Sequence, residues 1–145
     1  MAVSTRLHNP ALLDYATPPF PSLYWPYKAK PGVAKYLYYS YDIWRHTLLW
    51  TLIIYALFHL VVAAWAILMQ LGKGKHAWQH VWIIPLVYAF IAGVEALLSG
   101  SIIGLILAAV YNAGYFRMST WIPFIWSLIN VLVLILSSFS IQGGL

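Results

Sequence analysis

Three long apolar stretches, separated by short polar breaks and preceded by a mixed aromatic arm, organise this chain. The first, about His46–Gln70, runs 25 residues without Asp, Glu, Lys or Arg. The basic loop LGKGKHAW follows, with Gly72 and Gly74 as helix stop signals. The second stretch, about His80–Asn112, covers 33 residues. A straight helix of that length measures roughly 50 Å, against about 30 Å for the hydrocarbon core. Two readings compete: one long helix, tilted or kinked near Gly93 or Ser99-Gly100-Ser101, or four spans with a re-entrant hairpin at Ser99–Ser101. The single helix is preferred, because a hairpin apex would expose irregular backbone to lipid. The third stretch is about Thr120–Phe139, with Ser119 or Thr120 as its cap and Pro123 in the first turn, where a missing N–H costs nothing. The pattern predicts an all-α polytopic membrane protein: an arm over residues 1–42, then a transmembrane domain over 43–145 with spans near 46–70, 80–112 and 120–139.

The arm differs in kind. It holds six of the eight prolines, at positions 10, 18, 19, 21, 26 and 31, which forbid a helix through residues 18–31. Seven of the eleven tyrosines also lie there, whereas disordered tails are poor in aromatics. Tyr and Trp favour the headgroup zone, so the arm is expected to lie on a membrane surface or on a partner. Trp25, Trp44, Trp78, Trp82 and Trp121 are the candidate interface anchors. No cleavable signal peptide is expected, since Asp14 and the prolines interrupt any apolar core in the first 20 residues.

Composition agrees with burial in lipid. Hydrophobic residues make up 63% and charged residues 8% of 145 residues, against about 25% charged in ordinary soluble domains. The net charge of +5 is spread over arm and loops rather than clustered. That suits anionic headgroups and not a nucleic acid. Without cysteine there is no disulfide, thiolate metal site or Cys nucleophile.

Polar residues inside the spans are the candidate chemistry. His59, Glu95 and Asn130 each fall near the midpoint of one span, and Tyr55 sits one turn before His59. Intramembrane ionisable groups are costly and normally face a partner inside the bundle. We therefore expect a midplane polar cluster of His59, Glu95, Asn130 and Tyr55, acting as interhelical glue or as a proton or lipid-headgroup track. A second pattern is a stripe at Ala92, Ala96, Gly100, Gly104, Ala108 and Asn112. Small residues at this spacing let two helices approach backbone to backbone. His76 and His80 flank a loop and make a weak metal site, so no metal and no cofactor are expected. Ser99, Ser101, Ser137, Ser138 and Ser140 lack a His–Asp set, and an enzyme is not expected.

From Asp42 to Phe139 the chain resembles the transmembrane protein 170 family. The resemblance rests on DIWRHTLLWTLIIYALFHLVVAAWAIL, the small-residue stretch of the second span, and VYNAGYFRMSTWIPF. The Pro-Tyr-rich arm marks a fungal-type member. The resemblance implies a protein of the endoplasmic reticulum and nuclear envelope, associated with membrane sheet shape and nuclear pore formation, with no site residues to carry over. The alternative is a small accessory subunit of a larger membrane complex, such as a lipid-transfer assembly. Expected partners are membrane lipids, together with a membrane protein or a second copy held through the stripe and the arm. Lys28, Lys30, Lys35, Arg45 and Arg117 fall on one side of three spans, and Lys73 and Lys75 on the other. The positive-inside rule then places the N-terminus in the cytoplasm; the assignment usual for the resembling family is the reverse.

Overall fold

The structure, a computed structural model, describes residues 15–25, 34–70 and 81–142, with backbone alone for 140–142. Its core is three helices: α1 (Ser40–Gln70), α2 (Ile83–Ala113) and α3 (Trp121–Gln142). All three are long and apolar enough to cross a membrane. The loop residues Gly72, Lys73, Gly74, Lys75, His76, Trp78 and His80 lie outside the described residues.

Helix α2 is continuous through Ser99, Gly100 and Ser101, so the four-span alternative is not the fold. Pro85 falls in its first turn, where the absent N–H has no partner to lose. Helix α1 begins at Ser40, earlier than the uncharged run suggested. Asp42 and Arg45 interrupt the apolar pattern without interrupting the helix. Asp42 sits in the first turn, where a carboxylate favours the helix dipole.

Helices α1 and α2 pack along their length, antiparallel, and α3 packs mainly on α1. At one end a two-residue ladder closes the bundle: β1 (Tyr36–Leu37) pairs antiparallel with β2 (Met118–Ser119). Under it lies an apolar cluster of Leu37, Ile43, Leu107, Ala108 and Met118. A second cluster, Ile54, Tyr55, Ala96 and Val131, sits deeper in the bundle.

The turn from α2 to β2 explains part of the YNAGYF segment. Tyr115, not the glycine before it, takes the left-handed conformation at φ 54°. Phe116 N–H donates to Tyr111 O at 3.0 Å and Tyr115 N–H to Asn112 O at 3.2 Å, which satisfies carbonyls that the helix end would orphan. Gly114 is needed for space: a Cβ there would collide with the Phe116 ring.

The described part of the arm packs against its own bundle. Phe20 lies on His46 and Trp50, with ring centroids 5.7 and 5.1 Å away. Thr17 donates to Asp42 Oδ2 at 2.7 Å. Thr120 donates to Ser22 O at 3.0 Å, and the Trp121 indole N–H to Tyr24 O at 3.0 Å. Thr120 is thereby diverted to the arm, and it is Ser119 Oγ that accepts from Trp121 N–H, at 3.4 Å.

Candidate functional site

The small-residue stripe is the α1–α2 seam. Ala92, Ala96, Gly100, Gly104 and Ala108 are all buried. A Cβ on Gly104 would stand 3.2 Å from both Trp44 Cα and Trp44 O, so the two backbones are nearly in contact. A Cβ on Gly100 would stand 3.0 Å from Thr51 Cβ. Asn112, at the end of the stripe, is exposed and donates from Nδ2 to Ser40 Oγ. The stripe is therefore filled by a helix of the same chain. This corrects the expectation that it receives a partner or a second copy, because its close-approach face is already occupied.

A ladder of polar side chains runs along the facing side of α1, at positions 47, 51, 55 and 59. Thr47 donates to Ile43 O at 2.8 Å, and Thr51 to Thr47 O at 2.7 Å. Thr51 Oγ1 and Ser127 Oγ lie 3.2 Å apart, and Ser127 also reaches Pro123 O at 2.7 Å. All three hydroxyl residues are fully buried. They tie α1 to α3. The sequence reading did not single them out, although Thr47, Thr51, Tyr55 and His59 recur every four residues and so share one helix face.

Deeper along this ladder, Tyr55 OH lies 3.3 Å from Ser99 Oγ on α2 and 3.5 Å from Asn130 O on α3. Its ring stacks on His59 at 6.1 Å. His59 Nδ1 is 2.9 Å from Tyr55 O. A carbonyl only accepts, so Nδ1 carries the hydrogen. The other ring nitrogen, Nε2, is 3.4 Å from Glu95 Oε2, which is ion-pair distance without hydrogen-bond alignment. The Glu95 side chain is 38% exposed while its Oε2 is shut away, so one oxygen meets His59 and the remainder faces outward.

The structure thus brings His59, Glu95 and Tyr55 together. Asn130 is at the same level, but it joins through its backbone carbonyl. Its amide Nδ2 is buried without a hydrogen-bond partner among the described residues. The anchors divide similarly. Trp25 and Trp82 are exposed, Trp44 packs on Gly104, and Trp121 is bonded to the arm. Trp78 lies outside the described residues. No group of three or more His, Asp or Glu suited to a metal occurs among the described residues.

Comparisons with known proteins agree on one grouping. Residues 36–145 match the family model described as "Transmembrane protein 170A/B-like". The match begins at β1, leaving most of the arm outside it. A Saccharomyces cerevisiae protein, "Uncharacterized protein YPR153W", is 34% identical over 137 residues, covering 94% of each chain. That alignment extends into the arm. No solved structure matches.

Proposed function

The chain belongs to the transmembrane protein 170A/B-like family, and on that premise we propose that it is a non-enzymatic membrane protein of the endoplasmic reticulum and nuclear envelope that shapes the bilayer and bears on nuclear pore organisation. The observation that carries the shaping role is the unequal filling of the two ends. The start of α1, the end of α2, the start of α3, the β ladder and the docked arm all gather at one end. Among the described residues, only the end of α1, the start of α2 and the end of α3 lie at the other end. More protein cross-section in one leaflet than in the other favours curvature of fixed sign. Most large apolar side chains on the helices point outward and suit lipid contact. The distribution of Lys and Arg supports the arm on the cytoplasmic face.

Reconstitution of the full chain into giant vesicles at rising protein-to-lipid ratio tests this reading. Tubules or flattened sheets that diminish in an arm-release variant, Phe20→Ala, are expected. Smooth spheres at every ratio would refute it.

One observation favours a second reading, an accessory subunit of a larger membrane complex. Glu95 lies in mid-helix with its side chain partly outward, and a carboxylate facing hydrocarbon is expensive unless covered. A photocrosslinker at the exposed neighbour Leu98 should capture one stoichiometric membrane partner if that reading holds, and lipid alone if it does not.

A further inference from the structure

At the arm end, where α1 begins and α2 finishes, a cavity of about 220 Å³ opens beside the β ladder. Its walls are the rings of Tyr38, Tyr39, Tyr111, Tyr115 and Phe116, with Ser40 and Asn112 as the polar lining. Four features together describe what it suits.

Among the described residues, no Lys, Arg or His lines the cavity. Two basic residues at this end are engaged with other rings: Lys35 Nζ lies 5.6 Å from the Tyr24 ring and the Arg117 guanidinium 4.8 Å from the Tyr36 ring. An anion would find no counter-charge in the lining.

Aromatic faces attract cations through their quadrupole, most strongly where the site is partly desolvated. Tyr38 and Tyr39 stand at 88° to one another, with centroids 5.5 Å apart, so their faces point in different directions, as the walls of a cage require.

Tyr111 and Asn112, in the last turn of α2, line one side of the cavity, and no basic residue occupies that turn. Asn112 donates its Nδ2 to Ser40, which leaves its amide oxygen as an acceptor.

Position adds the source of the cation. Helices α1 and α2 have 31 residues each, or roughly 46 Å, against a hydrocarbon core of about 30 Å. Their ends therefore project into the headgroup zone, where ammonium groups are carried by zwitterionic phospholipids.

We propose that this tyrosine-walled cavity binds the ammonium headgroup of a zwitterionic phospholipid. Choline and ethanolamine share that chemistry: choline uses the ring faces, and ethanolamine adds hydrogen bonds to Asn112 and Ser40.

The test uses the full chain in mild detergent with an equimolar mixture of phosphatidylcholine, phosphatidylethanolamine and phosphatidylglycerol of matched acyl chains. Retained lipid is read by native mass spectrometry. The expected result is enrichment of the two zwitterionic lipids over phosphatidylglycerol. Choline above ethanolamine assigns the contact to the rings, and the reverse order to the polar lining. Tyr39 is 53% exposed, so it can be changed without opening the core. Tyr39→Leu should lower zwitterionic retention roughly 3- to 30-fold, the range of one cation–π contact, while Tyr39→Phe, which keeps the ring, should retain it. Ser40→Lys, which puts a cation at the mouth, should reduce retention independently, and circular dichroism confirms that each variant is folded. Phosphatidylglycerol retained as well as the others, or Tyr39→Leu equal to the unmodified chain while folded, overturns the proposal.

Discussion

Alanine substituted in turn for Gly93, Gly100 and Gly104 asks how closely α1 and α2 approach. All three glycines lie inside the same helix, so the gain in intrinsic helix propensity, up to about 1 kcal/mol in water, is common to them and cancels in the comparison. What differs is the space each new Cβ enters. At Gly93 there is nothing within 4 Å. At Gly100 the Cβ would stand 3.0 Å from Thr51 Cβ and 3.2 Å from Leu48 Cδ1. At Gly104 it would stand 3.1 Å from Trp44 Cδ1 and 3.2 Å from Trp44 Cα and O. Leu48 can turn aside, but Thr51 Cβ at Gly100 and the backbone of Trp44 at Gly104 move only if α1 itself moves. Overpacking of this kind costs about 1–3 kcal/mol, and that is the expected gap between Gly104→Ala and Gly93→Ala. Gly93→Ala is expected neutral or stabilising, and Gly100→Ala should cost about as much as Gly104→Ala, its new Cβ standing 3.0 Å from Thr51 Cβ. Unfolding in mixed micelles titrated with sodium dodecyl sulfate, followed by circular dichroism, measures the series. Equal destabilisation at positions 93 and 104 would refute the seam.

The α1–α3 hydroxyl contact gives a second test: Thr51→Val keeps the shape and removes the bond, and should cost about 0.6–2 kcal/mol, whereas Thr51→Ser should cost less; the same titration reads both, and no loss in Thr51→Val would remove the contact from the account. His59→Leu and Glu95→Leu should each destabilise, and the double variant should be sub-additive, because either single change already breaks the pair; additive losses would mean that the two side chains act apart. The arm carries a pH signature. Burial raises the Tyr15 phenol above its ordinary 10.0. A raised value means that the neutral phenol is favoured in the docked state, so this contribution is complete below pH 10.0 and is lost as pH rises through the raised value. With no native cysteine to interfere, spin labels placed by Leu23→Cys and Ile125→Cys should report one narrow distance at neutral pH that broadens only in alkali. Tyr15→Phe should suppress the broadening, and broadening near neutrality would sink this assignment.

The spans were legible because hydrocarbon selects on one property, and the apolar stretches over 46–70, 80–112 and 120–139, broken by a single charged residue, Glu95, record it directly. The stripe from Ala92 to Ala108 was legible as spacing, but spacing does not name the helix that fills it, and α1 of the same chain does. The start of α1 was hidden because Asp42 and Arg45 end the apolar run before the helix itself ends. Depth along three spans put His59 and Glu95 at one level, and because α1 and α2 face each other their side chains lie 3.4 Å apart. Depth says nothing about rotation around an axis, so Asn130 reaches the right level and offers its carbonyl instead of its amide. The arm's attachment was not legible at all. Its bonds join Tyr24 to Trp121 and Ser22 to Thr120, pairs separated by 97 and 98 residues, and no local pattern marks them.

Three continuous spans put the segment before α1 and the segment after α3 on opposite faces of the membrane, and the excess of basic residues on the arm side is the ground for proposing that the arm faces the cytoplasm. A protease digest of sealed microsomes, with one tag at each end of the chain, measures both at once. Loss of the N-terminal tag with a protected C-terminal tag is the expected result. Loss of both tags, or protection of both, would contradict the three-helix bundle, and a protected N-terminal tag with an exposed C-terminal tag would reverse the orientation.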